Sequence, residues 1–441
     1  MLKKRFVSII ALTLVLVMSF AGCTQEVFSP KEEQPTHQPV ETPEEVDEGT
    51  KENENQEEAG EGTKEGKNQE EVDENKKTDE KIPHQSSESA KGKNVYISTN
   101  KLNVRVDSNS QSKVLGSLVK GKEVKVIEEV ESEETTWYKI QFKNSVNNNE
   151  GWILSEYTVK DINELLSSPT LFEDKEMNDY FTSPTLFEDN TVVAYYGHPY
   201  SDVMGIVGRH SKEELISLLK KTAEKYDSVN GNKGVIPAIY LIYGTVQPEG
   251  EINMMNFDLV ISYIEEAYKN GVLIYLDNQI GKYSPIDAIN ELLPFLKYPN
   301  VHLALDPEWR TDKPMKKIGH LTAAELNEVQ ETMREYIISN EIKGKRQFVF
   351  HQFIDSMIRD IDEVSSNYDP VLLVHNTSGW GSPEGKRAIH IRNSKVTNIP
   401  YKGFKLWYFY SDKPGVHFDD PLMTPEQVLE LDPKPGLIIY Q

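Results

Sequence analysis

Cysteine is almost absent: the 441 residues contain one, Cys23, which excludes an intramolecular disulfide and a thiolate metal cluster. Positive charge is also scarce. The chain has 48 Lys and Arg against 71 Asp and Glu, and its net charge of -23 argues against nucleic acid as a partner. Aromatic residues are missing from Ser29 to Gly92, a stretch that cannot build a core. Beyond residue 20 there is no apolar run long enough to cross a bilayer.

What is present begins with Lys3, Lys4 and Arg5, followed by an apolar core from Phe6 to Phe20 and the small-residue site Ala21-Gly22-Cys23. This arrangement resembles a bacterial lipoprotein signal. The resemblance implies that residues 1–22 are a removed leader and that Cys23 is lipidated, anchoring an exported protein in the membrane where it faces the cell wall. Residues 23–92 carry most of the acidity. Between residues 24 and 92 there are 21 Asp and Glu against 8 Lys, with a near-repeat, EGTKENENQEE at Glu48 and EGTKEGKNQEE at Glu61. Such a composition predicts a disordered acidic tether with an end-to-end distance of roughly 45 Å.

Residues 93–160 change character. Short alternating apolar runs separated by Gly116, Gly121 and Gly151 predict a small all-β barrel. The segments LNVRVDSNSQSKVLGSLVKGKEVKVIEE, WYKIQF and EGWILSEYT occur in the order that resembles a bacterial SH3 domain, which implies a peptidoglycan-binding or targeting module. Residues 161–190 form a linker that repeats SPTLFED at Ser168 and Ser183.

From residue 191 to 441, eight strand-like runs begin near Val192, Val235, Val272, Val301, Gln347, Val371, Phe404 and Gly436. Helix-like segments from Lys212, Phe257, Ser284 and Thr322 lie between them, apolar at three- and four-residue spacing. The alternation predicts a (β/α)8 TIM-like barrel, here with a poor helix after the sixth strand. The expected fold class is therefore multidomain: a disordered acidic linker, a small all-β SH3-like barrel and an α/β barrel.

In a parallel barrel, function gathers at the carboxyl ends of the strands. The fourth run, VHLALDPEW from Val301, delivers two acids there. Strand alternation places Asp306 and Glu308 on one face with Ala304. This Asp-x-Glu is similar to the acidic end of the fourth strand in chitinase-type and lysozyme-type barrel glycosidases. By that resemblance Glu308 is the general acid/base and Asp306 its partner, holding the substrate's N-acetyl group or the acid's proton. Strand ends and the loops beyond them offer Tyr196, His198, Tyr243, Asp277, Trp309, His351, Asn376, Trp380 and Tyr410 as substrate-binding residues, and Trp407 is assigned to packing.

The expected function is hydrolysis of an N-acetylhexosamine-containing cell-wall glycan, peptidoglycan or a related polymer, with neither cofactor nor metal. Two alternatives stay open. One is a metal-dependent hydrolase or deacetylase using His198, His351 and His375 with Asp306 or Asp277. The other is a non-catalytic wall-binding adaptor.

Overall fold

The computed structural model describes residues 89–131, 135–144, 147–166 and 172–441. The leader, Cys23, nearly all of the acidic tether and the start of the first SPTLFED copy lie outside the described residues.

The first module is a seven-stranded antiparallel sheet curled around its own core. Its strands are β1 (Asn94–Ile97), β2 (Leu102–Arg105), β3 (Val114–Leu118), β4 (Glu123–Glu131), β5 (Thr136–Asn144), β6 (Asn147–Leu154) and β7 (Thr158–Val159). Alternation turns Val95, Ile97, Val104, Val124, Val126, Ile140 and Ile153 inward. The turn before β4 lies on the barrel. Gly121, at φ +84°, lets the backbone rest against the ring of Phe257, where a Cβ would stand 2.6 Å from the ring. Lys120 pairs with Asp258 at 2.6 Å, and Lys122 pairs with Glu291.

Eight parallel strands then close on themselves: β8 (Asn190–Gly197), β9 (Gly234–Val246), β11 (Leu273–Asn278), β12 (Val301–Leu305), β14 (Arg346–Gln352), β16 (Val371–Thr377), β17 (Tyr401–Leu406) and β18 (Leu437–Tyr440), with β8 pairing both β9 and β18. A short β10 (Ile252–Met254) adds to β9 antiparallel, and β13 (Leu321–Thr322) pairs with β15 (Ile358–Arg359) outside the barrel. The seventh strand-like run, from Phe404, ends earlier than its apolar pattern implies. Trp407 to Tyr410 leave the sheet because the backbone N–H of Trp407 is drawn to Asp419 at 2.9 Å.

Helices Lys212–Asp227, Phe257–Lys269 and Ala323–Ser339 carry the predicted amphipathic faces, the last with the Thr322/Glu325 capping box. The connection after the sixth strand corrects the expectation: a helix, Pro383–Ser394, stands there, capped by Ser382. Its buried face is polar, made of Lys386, His390 and Asn393, each bonded to backbone carbonyls, so apolar periodicity does not reveal it. The connection lacking an α-helix follows the fifth strand, where only the short turns Asp355–Met357 and Ile361–Glu363 occur.

Apolar side chains fill two zones, one between strands and helices and one inside the barrel. Phe181, Leu186 and Phe187, from the segment carrying the second SPTLFED copy, join the inner zone beside Val192 and Ala194. They close the amino-terminal end of the barrel, and the Phe187 ring meets His302 edge-on at 5.1 Å. Phe181 is fully buried. Phe181→Ala is expected to lower stability by about 3–5 kcal/mol in equilibrium denaturant unfolding. A loss below about 1 kcal/mol would show that this segment is not part of the barrel core.

Candidate active site

The carboxyl-terminal mouth is assembled from inward-facing residues of successive strands. On β12 Ala304 faces inward, and Pro307 then ends the strand and opens a tight turn, Pro307–Trp309. Glu308 is therefore carried round by the turn instead of emerging on the strand face that alternation assigns it. Asp306 is 4% exposed, whereas Glu308 is half-buried nearer the solvent.

Their surroundings differ in kind. Burial raises the Asp306 carboxyl to about 6; His351, Lys405 and the Glu308 backbone N–H oppose the rise, and Asp277 adds to it. Burial, and then the charge of Asp306, raises Glu308 to about 8 against the pull of Lys405 and a hydrogen bond from Trp309. Arg310, the nearest cation in sequence, is engaged elsewhere, gripping Glu325 at 2.6 Å. Among the described residues neither acid forms an ion pair.

Behind the pair lies a hydrogen-bonded row. Asn376 Nδ2 donates to His351 Nδ1 at 3.0 Å. The ring's Nε2 faces the Tyr240 hydroxyl at 3.0 Å and Asp277 Oδ2 at 3.4 Å, and the Tyr196 hydroxyl donates to Asp277 Oδ2 at 3.2 Å. Gly403 on β17 makes room for Asn376, whose Oδ1 would lie 2.6 Å from a Cβ there. Asp277 Oδ1, Asp306 Oδ1 and Asn376 Oδ1 are buried without a protein partner.

The rim is aromatic. Trp380 is 39% exposed, stacks on His417 at 3.8 Å and meets Trp407 edge-on at 5.8 Å. A buried ion pair, Lys386 with Asp419 at 3.2 Å, fastens this wall. Lys386 Nζ also donates to the carbonyls of Gly379 and Lys405, and Asp419 accepts from the backbone of Gly381 and Trp407. Trp407 is thus a rim residue, not barrel filling.

Of the residues read from the sequence, Asp306, Glu308, Trp309, Tyr196, Asp277, His351 and Asn376 gather at the mouth, and Trp380 stands on its wall. His198 lies in the loop after β8, accepting the Tyr200 N–H on Nδ1 at 3.2 Å, and burial lowers it to about 4. Tyr410, beyond β17, lies under the Arg209 guanidinium at 4.2 Å and beside Tyr408, with Arg209 also bonded to Asp412. Tyr243 is a correction. It points into the helix layer against Phe295 at 5.7 Å, because Tyr240 and Ile242 take the inward positions of β9.

The three-histidine alternative is also corrected. His375 faces the helix layer, stacked on Phe350 at 4.8 Å and bonded to Gln352 at 2.6 Å, so His198, His351 and His375 do not converge. Among the described residues no group of three or more His, Cys, Asp or Glu side chains is arranged to hold a metal ion.

One residue of the mouth escaped the sequence reading. Lys405, on β17, is 3% exposed, with Nζ 3.6 Å from the centre of the Tyr196 ring and 4.6 Å from that of Trp407. Two lysines, Lys402 and Lys405, within a buried strand were the available signal. In the β1–β7 module, Lys101, Arg105, Trp137 and Tyr157 line a groove of about 310 Å³.

The bacterial SH3 domain family matches residues 100–159, and that segment is a bacterial SH3 domain. No protein of curated function matches the chain in sequence. Solved structures similar to it include a GH18 chitinase from Flavobacterium johnsoniae, at 8% identity over 57% of this chain and 87% of that one, with a TM-score of 0.33. GH26C from Muricauda sp. is similar at 11% identity, over 60% of this chain and 83% of that one, with a TM-score of 0.35. A β-glucuronidase from Bacteroides uniformis is similar at 8% identity, over 80% of this chain but 42% of that one, with a TM-score of 0.32.

Proposed function

We propose that the barrel hydrolyses a glycan containing N-acetylhexosamine, peptidoglycan or a related wall polymer, while the SH3 domain holds it on the wall and a lipidated Cys23 anchors it to the membrane. The observation that carries the hydrolytic reading is the unequal acid pair at the end of β12. Burial raises both carboxyls, and Glu308, which also feels the charge of Asp306, is raised the further. Glycoside hydrolysis needs that division, a protonated acid beside an ionised carboxylate.

Glu308 gives its proton to the glycosidic oxygen as the bond to the anomeric carbon breaks. The substrate's own acetamido oxygen closes on that carbon, giving a cyclic oxazolinium ion. Asp306, ionised, accepts the amide N–H and balances the charge. Water then attacks the anomeric carbon and returns a proton to Glu308, opening the ring and restoring both groups. No second protein nucleophile is required. The unpartnered oxygens of Asp277 and Asn376 suit the hydroxyl and amide donors of a sugar, and Trp309 and Trp380 offer flat faces for its rings.

Glu308→Gln is expected to slow the cleavage of purified peptidoglycan or chito-oligosaccharides by about 10²–10⁴-fold with binding retained, as read by product mass and a pull-down. Cleavage at the unaltered rate would reject the assignment, and binding without cleavage by the unaltered protein would favour an adaptor. The pH dependence follows from the signs. Activity rises as Asp306 loses its proton and falls as Glu308 loses its own, so kcat/KM is expected to peak between about 6 and about 8. An optimum below about pH 5 would contradict this division of roles.

A further inference from the structure

Three lysines are buried among the described residues, and two of them are fully matched. Lys386 pairs with Asp419 and donates to the carbonyls of Gly379 and Lys405, and Lys402 donates to the carbonyls of Val396 and Asn393. Lys405 differs. Its Nζ lies 3.6 Å from the centre of the Tyr196 ring and 4.6 Å from that of Trp407, and among the described residues it makes neither a hydrogen bond nor an ion pair. The nitrogen is not one of the fully enclosed unpartnered atoms of the described residues, so part of its surface stays open to the mouth. Burying an ammonium in this way is costly, and two aromatic faces recover only part of that cost. Burial lowers Lys405 to about 8 against the charges of Asp306, Asp277 and Glu308, which leaves it a cation at neutral pH.

We infer that Lys405 is a substrate-binding residue whose unmatched ammonium, cradled on Tyr196 and Trp407, receives a carboxylate carried by the sugar, so that the substrate is an acidic saccharide. The inference rests on the hydrolytic reading above and narrows it. The mouth's unpartnered atoms are complementary to such a ligand. Asp277 Oδ1, Asp306 Oδ1 and Asn376 Oδ1 are acceptors that sugar hydroxyls and amides satisfy by donating. An ammonium only donates, and a hydroxyl accepting from it leaves its charge unmatched, whereas a carboxylate supplies both the acceptor and the opposite charge. Two sugar carboxylates fit this chemistry. One belongs to a hexuronic acid, and the other is the lactyl group of N-acetylmuramic acid after its peptide is removed, because the attached peptide turns that group into an amide.

The surroundings leave the ammonium free for this task. Asp277, the carboxylate that shares the Tyr196 ring, is bonded to the hydroxyl at its edge and faces His351, while Lys405 lies over the face. Trp407 joins the ammonium to the exposed wall, since its ring meets Trp380 at 5.8 Å, and a sugar ring against that wall presents its substituents to Lys405. Other cations of the loops are engaged elsewhere: Arg209 with Asp412 and Arg310 with Glu325. The Lys386 bond to the Lys405 carbonyl, at 2.6 Å, fixes the backbone that carries the ammonium.

The test measures binding to the full chain by isothermal titration calorimetry at neutral pH, with Glu308→Gln present throughout to prevent turnover. The probes are the disaccharide of N-acetylglucosamine and N-acetylmuramic acid with its lactyl carboxylate free, the same disaccharide as the lactyl amide, a disaccharide of N-acetylglucosamine and glucuronic acid, its methyl ester, and diacetylchitobiose. At least one free acid is expected to bind about 10–100-fold more tightly than its uncharged counterpart. Lys405→Met is expected to remove that preference while changing the affinity for diacetylchitobiose by less than about threefold. Preference for the lactyl acid identifies peptide-stripped wall glycan as the source, and preference for the uronic acid identifies an acidic polysaccharide. Equal affinity for each acid and its uncharged counterpart, or a preference that survives Lys405→Met, overturns the inference. If Lys405→Met does not fold, as judged by circular dichroism, Lys405→Gln takes its place, and the comparison of acid with uncharged counterpart needs neither. Binding requires no turnover, so a protein that prefers the acid yet cleaves no glycan overturns the hydrolytic reading alone. One that cleaves chito-oligosaccharides without that preference overturns this inference alone.

Discussion

Two carboxyls confined at the end of β12 without an ion-pair partner are the constraint on which the rest of the mouth depends. Buried acids of like charge resist ionising together, and a protein removes that cost either by neutralising them with a bonded cation or by letting one keep its proton. Here the nearest cation in sequence, Arg310, is committed to Glu325 in the capping box of the following helix. Pro307 then ends the strand and opens the turn that carries Glu308, while Asp306 stays among Asp277, His351 and Lys405. Burial raises both acids, and the charge of Asp306 raises Glu308 further.

Rigid support surrounds that pair. The Lys386–Asp419 ion pair is fully enclosed, and its remaining bonds go to backbone groups of two chain segments, 379–381 and 405–407, so the Trp380 and Trp407 wall is held by charge-assisted contacts. At the opposite end, Phe181, Leu186 and Phe187 fill the barrel from below. The SH3 domain rests on the outside through Gly121 and two lysines. Because Lys120 and Lys122 are partly solvent-exposed, their ion pairs contribute little, and Tyr96, packed against the barrel's outer core, adds apolar contact to that of Gly121 on Phe257.

Much of this was legible in the sequence, for identifiable reasons. Strands buried on both faces read as continuous apolar runs, so β12 and β16 stand out, and caps such as Thr322 with Glu325 mark their helix without help from tertiary context. The same continuity hides direction. Along β9 nearly every residue is buried, so nothing in the pattern shows that Tyr240 faces inward and Tyr243 outward. The helix Pro383–Ser394 buries lysine, histidine and asparagine satisfied by distant carbonyls, and only the folded chain supplies those partners. Lys405 was hidden similarly, since the rings that cradle it come from β8 and from the chain just beyond its own strand.

The central claim is that the acid pair directs water to an anomeric carbon. Its most direct test is cleavage of a defined muropeptide or chito-oligosaccharide in H₂¹⁸O, with the fragments weighed by mass spectrometry. The account expects each new reducing end to carry a single oxygen from solvent. Intact substrate, or fragments ending in an internal anhydro ring with no solvent oxygen, would contradict it.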